Sequence, residues 1–198
     1  MTGMPPWTEP RATPPGQRLV DEVPVRHYGR VPSVDARTWT LSITGDTASG
    51  EDTHIDYEQL VALGETDVVA DLHCVSKVTG QDLRWRGVLA RAVVDLAPPA
   101  DGVEHALVVA EYGYAATLRV EDLSSPRALL ALALDGAPLA PERGGPVRLV
   151  VPHLYSFKGP KWLREICYTS TPERGFWEER GYHLVGDAWR EERYAYQE

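Results

Sequence analysis

The sequence is poor in cysteine, in long apolar runs and in positive charge. Its 198 residues include two cysteines, Cys74 and Cys167. That is too few for a disulfide framework and fits a reducing compartment. No run of about 18 apolar residues occurs, so no transmembrane helix and no membrane insertion are expected. The first residues, Met1-Thr2-Gly3-Met4-Pro5-Pro6-Trp7, carry neither a basic nor an apolar signal region. A cytoplasmic location is therefore expected. Twenty Lys and Arg stand against 29 Asp and Glu, a net charge of −9. This argues against nucleic acid as a partner, because phosphate binding needs an electropositive surface. Several motifs are also missing. There is no H-x-x-x-H or Cys/His zinc pattern, no Walker A loop and no G-x-S-x-G elbow, which leaves zinc, P-loop and serine-hydrolase chemistry without support.

What is present suits a soluble globular chain, 43% hydrophobic and 25% charged, long enough for one domain of ordinary size. Residues 1–17 hold five prolines and read as an extended or disordered arm, leaving residues 18–198 as the domain. Val23–Pro32 is proline-rich and cannot be helical. Trp39–Gly45 alternates as a strand. Asp56–Gly64 reads as a short helix with an Asp cap and a Gly stop. Thr66–Cys74 and Leu83–Val88 read as strands, and Val88–Leu96 as a helix. His105–Glu111 reads as a strand continued to Leu118 through a glycine bend. Pro126–Leu134 reads as a helix with proline in its first turn. Val147–Val151 and Lys161–Thr169 read as strands and Arg174–Arg180 as a short helix. Strands and short helices mix without a βαβ rhythm, so the expected class is α+β, β-rich and single-domain.

Two stretches carry chemistry. In Asp71-Leu72-His73-Cys74-Val75-Ser76 a thiol sits where an apolar strand gives way to a polar turn over Ser76–Gly80. A thiolate is both the nucleophilic and the metal-binding form of cysteine. The alternatives are a small buried hydrophobe or a Cys/His nucleophile with His73, His153 or His183. The second stretch runs from Glu142 to Glu165. Arg143, Arg148, Lys158, Lys161 and Arg164 give it a local excess of three positive charges. Glycines at 144, 145 and 159 allow close backbone approach. Arg forks and Lys point charges are the usual grip on phosphate; the alternative is a solvated basic loop. Arg26-His27-Tyr28 is a candidate third wall. Cys167 reads as structural, and Trp162, Trp177 and Trp189 as packing residues.

Taken together, these stretches resemble the sulfite-oxidase-like molybdopterin oxidoreductases in their short, single-domain bacterial form, from about Pro24 to Tyr194. Asp71–Val75 resembles the segment that bears the molybdenum-ligating cysteine, followed by Trp85-x-Gly87-Val88. Gly144–Pro152 with Lys158 and Lys161-Trp162 resembles the pterin-phosphate segment. Gly175-Phe176-Trp177-Glu178-x-Arg180-Gly181-Tyr182-His183 and Asp187-x-Trp189-Arg190 complete the likeness. The resemblance implies the molybdopterin-binding fold and a molybdenum–molybdopterin cofactor with Cys74 as the metal ligand. It implies that Arg143, Arg148, Lys158 and Lys161 hold the cofactor, with Arg26 and His27 bordering it and the backbone of Tyr112–Thr117 lining the pterin. It also implies a small-molecule substrate and a separate electron-transfer partner. The chain departs from the family pattern at Lys77-Val78-Thr79, at Ala115-Ala116, at Arg143 (commonly His) and at Leu184 (commonly Asn). These swaps point to a substrate larger or less polar than sulfite, or to a non-catalytic binding member of the family.

Overall fold

The computed structural model describes residues 13–198, so most of the arm expected over residues 1–17 lies outside the described residues. At its end Gln17 is held: Nε2 donates to the Cys74 carbonyl at 3.2 Å. Strand β1 (Arg18–Leu19) then pairs in parallel with Val78 and Thr79. The chain continues through β2 (Thr40–Gly45), β3 (Thr53–Asp56), helix α1 (Tyr57–Ala62), β4 (Glu65–Cys74), β5 (Val78–Leu89) and helix α2 (Ala90–Leu96). After these come β6 (His105–Ala110), β7 (Ala115–Arg119), helix α3 (Val120–Leu123), β8 (Leu129–Leu134), β9 (Ala137–Pro138), β10 (Arg148–Val150) and β11 (Leu163–Thr169).

The strands form two sheets. In the first, β5 pairs with β4 along one edge. Along the other it pairs with β1 at its start and with β8 further on, and β8 carries β9 and β10. The second runs β3-β2-β11-β6-β7, antiparallel except for the parallel β2–β11 pair. Period-two alternation decides what each strand buries. Leu41 and Ile43 of β2, Val108 of β6, Ile166 of β11, Leu130 and Leu132 of β8 and Leu149 of β10 form one core cluster. The opposite face of the first sheet buries Ala70, Trp85, Leu129, Ala131 and Val150 in a second cluster. The result is the expected α+β, β-rich single domain, with few helices.

Local signals hold where they are strong. Asp56 caps α1 and shares a reciprocal capping box with Gln59, and Gly64 follows at φ +108°, a backbone that suits glycine. Three expectations are corrected. Pro126–Leu134 is not a helix: Leu129–Leu134 is the strand β8. It is buried on both faces and paired on both edges, so its apolar run has no alternation to reveal it. The strand expected over Leu83–Val88 begins earlier, at Val78, so the polar turn after Cys74 is confined to three residues. Of Arg174–Arg180, Glu178–Arg180 alone forms a single 3-10 turn, ended by Gly181 at φ +90°.

Candidate active site

Strand register places the thiol. Cys74 pairs with Val78 across the β4–β5 hairpin, and Val75-Ser76-Lys77 makes the turn, with Lys77 at φ +68°. Successive side chains on a strand point to opposite faces, so His73 and Cys74 part company. His73 is buried on one face, its Nδ1 2.9 Å from the Thr79 hydroxyl and its ring edge-on to Trp189. Burial pushes its pKa below the ordinary value. Cys74 is half-buried on the other face, where it lines a cavity of about 860 Å³. The Ser76 hydroxyl donates to its sulfur at 3.1 Å.

The opposing chemistry is cationic. Arg148 of β10 shares a face with Val150, and its guanidinium lies 5.6 Å from the centre of the Trp85 ring. It is 5% exposed. Nη1 donates to the Arg143 carbonyl at 3.1 Å and Nη2 to the Gly159 carbonyl at 3.5 Å, while Nε has no partner. Burial, then the neighbouring Arg143, pushes its pKa down to about 10. Lys161 donates to the carbonyls of Glu142 (2.6 Å) and Arg26 (2.8 Å). Burial, then Arg148 and Arg143, pushes its pKa down to about 7. Among the described residues no carboxylate forms an ion pair with Arg148 or Lys161, and Arg143 meets the exposed Glu22 at 3.0 Å. Gly144 makes the crowding possible: a Cβ there would stand 2.8 Å from Lys161 Cβ and 3.0 Å from Arg148 Cβ.

One cavity thus gathers Arg26, His27, Cys74, Arg143, Arg148 and Lys161. Lys158 is placed elsewhere. It is fully buried behind the cavity wall, with Nζ 2.5 Å from Glu178 Oε1 and 2.6 Å from the Leu184 carbonyl. Glu178 Oε1 also accepts from the Thr117 amide at 2.9 Å. Tyr28 and Tyr114 fall in stretches expected at the site, but the aromatic wall they make with Phe176, Trp177 and Tyr182 is not foreseen from the sequence. Tyr28 lies 4.6 Å and Tyr114 5.7 Å from Phe176, and Trp177 lies 5.2 Å from Tyr182. Trp162 and Trp177, expected only to pack, line the cavity, whereas Trp189 does not. The density of aromatics in Gly175–Tyr182 was the available signal. Of Tyr112–Thr117, only Tyr112-Gly113-Tyr114 reach the cavity; Ala116 lies in the core. The other two candidate histidines are engaged elsewhere: His153 Nε2 lies 2.7 Å from Asp122, and His183 Nδ1 accepts from the Val185 and Gly186 amides.

The architecture is the sulfite-oxidase type of molybdopterin-binding fold. It matches the sulfane dehydrogenase SoxCD from Paracoccus pantotrophus with a TM-score of 0.67 at 18% identity, over 74% of this chain and 42% of that one. The chain belongs to the oxidoreductase molybdopterin binding domain family, which matches residues 28–177. It is 35% identical over 184 residues, 92% of each chain, to the uncharacterized oxidoreductase YuiH of Bacillus subtilis. It is 32% identical over 148 residues to the protein-methionine-sulfoxide reductase catalytic subunit MsrP of Gluconobacter oxydans. That match covers 65% of this chain and 46% of MsrP. A putative protein-methionine-sulfoxide reductase subunit, YedZ1 of Azospira oryzae, is 25% identical over 81% of this chain and 61% of its own. Among the described residues no helix is long and apolar enough to cross a membrane.

Proposed function

We propose that this domain holds a molybdenum–molybdopterin cofactor in the cavity and acts as an oxidoreductase on a small substrate, by oxygen-atom transfer or a related two-electron step. The observation that carries this reading is Arg148: a guanidinium with an orphaned buried Nε and, among the described residues, no carboxylate, beside Lys161 and Arg143. A buried cation normally has an anionic partner, and a phosphate group matches this cluster in charge and hydrogen-bond geometry. The donor set therefore fits the group. When bound, the cofactor supplies the two-electron redox centre, and the protein supplies binding, orientation and electrostatics.

In this reading Cys74 provides the thiolate ligand to the metal. Arg143, Arg148 and Lys161 hold the phosphate, while Arg26 and His27 border the cofactor at the mouth. Tyr114 and Phe176 offer faces for a planar ring system. Lys158 works from behind the wall, as the ion-pair partner that fixes Glu178. Electrons reach the site through a separate protein. Two relatives are named for methionine sulfoxide reduction, and the aromatic rim of the cavity fits a substrate larger and less polar than sulfite. Fast turnover of sulfite would count against that choice. A metal-free cysteine nucleophile is disfavoured, since His73, His153 and His183 are each engaged away from Cys74.

The test is elemental analysis of protein made in a host that synthesises the cofactor, with wild type beside Cys74→Ala. Near-stoichiometric molybdenum in wild type is expected, with metal coordination and activity lost in the variant. A well-folded wild type free of molybdenum would overturn the reading. A loaded protein inert toward sulfoxides and N-oxides would mark a non-catalytic binding member instead.

A further inference from the structure

Arg193 is 5% exposed, yet among the described residues its one ion pair is long and half in solvent, 3.6 Å to Glu191. Its guanidinium lies over the Tyr155 ring at 4.7 Å, and Nε has no partner. The remaining donors go to main-chain carbonyls: Nη1 to Val75 at 2.7 Å and Nη2 to Pro15 at 3.4 Å. Beside it, Gln17 Nε2 donates to the Cys74 carbonyl at 3.2 Å, and its Oε1 accepts from the Thr79 hydroxyl at 3.2 Å. Two consecutive carbonyls, those of Cys74 and Val75, are thus gripped by side chains far apart in sequence. Neither Gln17 nor Arg193 lines the cavity.

We propose that Arg193 and Gln17 are positioning residues that fix the Cys74–Val75 backbone and so aim the Cys74 sulfur into the cavity; this rests on the reading of Cys74 as the metal anchor. The β4–β5 ladder holds the chain up to Cys74 and resumes at Val78. Between them the turn is closed by one backbone bond, Lys77 N–H to the Cys74 carbonyl at 3.0 Å, which leaves the Val75 carbonyl to be fixed by other bonds. A guanidinium donating to a carbonyl is a charge-assisted bond, stronger than a neutral one. Burying a cation to make it is costly where an apolar side chain would pack as well. A ligand held by partners outside the site is the usual way a protein pre-organises a metal-binding atom.

The test uses the cofactor-free chain and the rate at which iodoacetamide alkylates Cys74, with Cys74→Ala reporting the Cys167 background. A half-buried thiol reacts as often as its sulfur turns toward the reagent, so loosening the backbone that aims it should speed alkylation by about tenfold in Arg193→Met. Arg193→Lys, which keeps a donor, should fall between Arg193→Met and wild type. Gln17→Leu removes the grip on Cys74 without touching a buried charge, and should also react faster than wild type even if Arg193→Met fails to fold. In loaded protein the sulfur-to-metal absorption band should shift in both variants. Folded variants that alkylate at the wild-type rate would overturn the proposal, whatever the metal content. Fast-reacting variants of a protein that never takes up molybdenum would leave the clamp standing and sink the cofactor reading instead.

Discussion

Among the described residues Arg148 is a cation enclosed without an anion. Its lowered pKa means that the unfolded chain holds the proton more tightly than the folded one, so at neutral pH the charge opposes folding. Its two carbonyl bonds offset part of this, and the orphaned Nε offsets none. Methionine has a similar reach and would keep the contact with Trp85. In cofactor-free protein Arg148→Met is therefore expected to unfold at the same urea concentration as wild type, or to gain about 1 kcal/mol, in line with exchanges of buried charge for apolar groups. Molybdenum content should fall sharply in the same variant. Urea titration and metal analysis on one preparation check both. A loss of stability in the cofactor-free variant would identify Arg148 as a structural strut and remove the main support for a phosphate at this place.

At the scale of elements, the 3-10 turn Ser156–Lys158 and the turn Glu178–Arg180 are joined by Lys158 and Glu178, whose side chains are 1% and 0% exposed. Removing one partner leaves the other charged in the interior. Lys158→Met should cost about 3–5 kcal/mol in a denaturant titration. Lys158→Met with Glu178→Gln should recover much of that, because glutamine still accepts from the Thr117 amide. The double variant should also bind sulfate in the cavity as wild type does; if sulfate binding is lost, Lys158 belongs with Lys161 after all. This pair shows what could be read in advance. Lys158 and Lys161 stand three apart in a basic stretch, so the sequence groups them. What separates them is Glu178, twenty residues further on, and no local pattern predicts that contact. Asp56 with Gln59, by contrast, is a signal completed within four residues, and α1 forms as read. Strand β8 fails for the opposite reason: burial on both faces erases the period that would mark it. The facing of Cys74 follows from alternation once the β4–β5 register is known, but the aromatic wall needs Tyr28, Tyr114 and Phe176 brought together across 148 positions.

At the scale of the whole molecule, a chain of net charge −9 gathers in one cavity two cations, Arg148 and Lys161, that have no carboxylate partner among the described residues. That arrangement destabilises the empty cavity and favours any dianion that enters it. Lys161 makes the effect depend on pH. Its pKa falls from the ordinary 10.5 to about 7 in the fold. Between those values the unfolded chain binds a proton that the folded chain has released, so this group makes cofactor-free stability rise with pH across that window. Below about pH 7 both states are protonated, and the full cost of the enclosed charge is present. An anion reverses the balance, because it favours charged Lys161 and draws a proton in as it binds. Sulfate is a suitable probe, since it stays a dianion throughout the range. At matched ionic strength, which removes simple screening, sulfate should raise the unfolding temperature more at about pH 6 than at about pH 8.5, with Lys161 titrating between them. Lys161→Met should flatten the difference, while Lys158→Met with Glu178→Gln should preserve it. Equal sulfate stabilisation at both pH values in wild type would mean that the anion is not held by Lys161, and the three-cation account of the phosphate grip would have to be replaced.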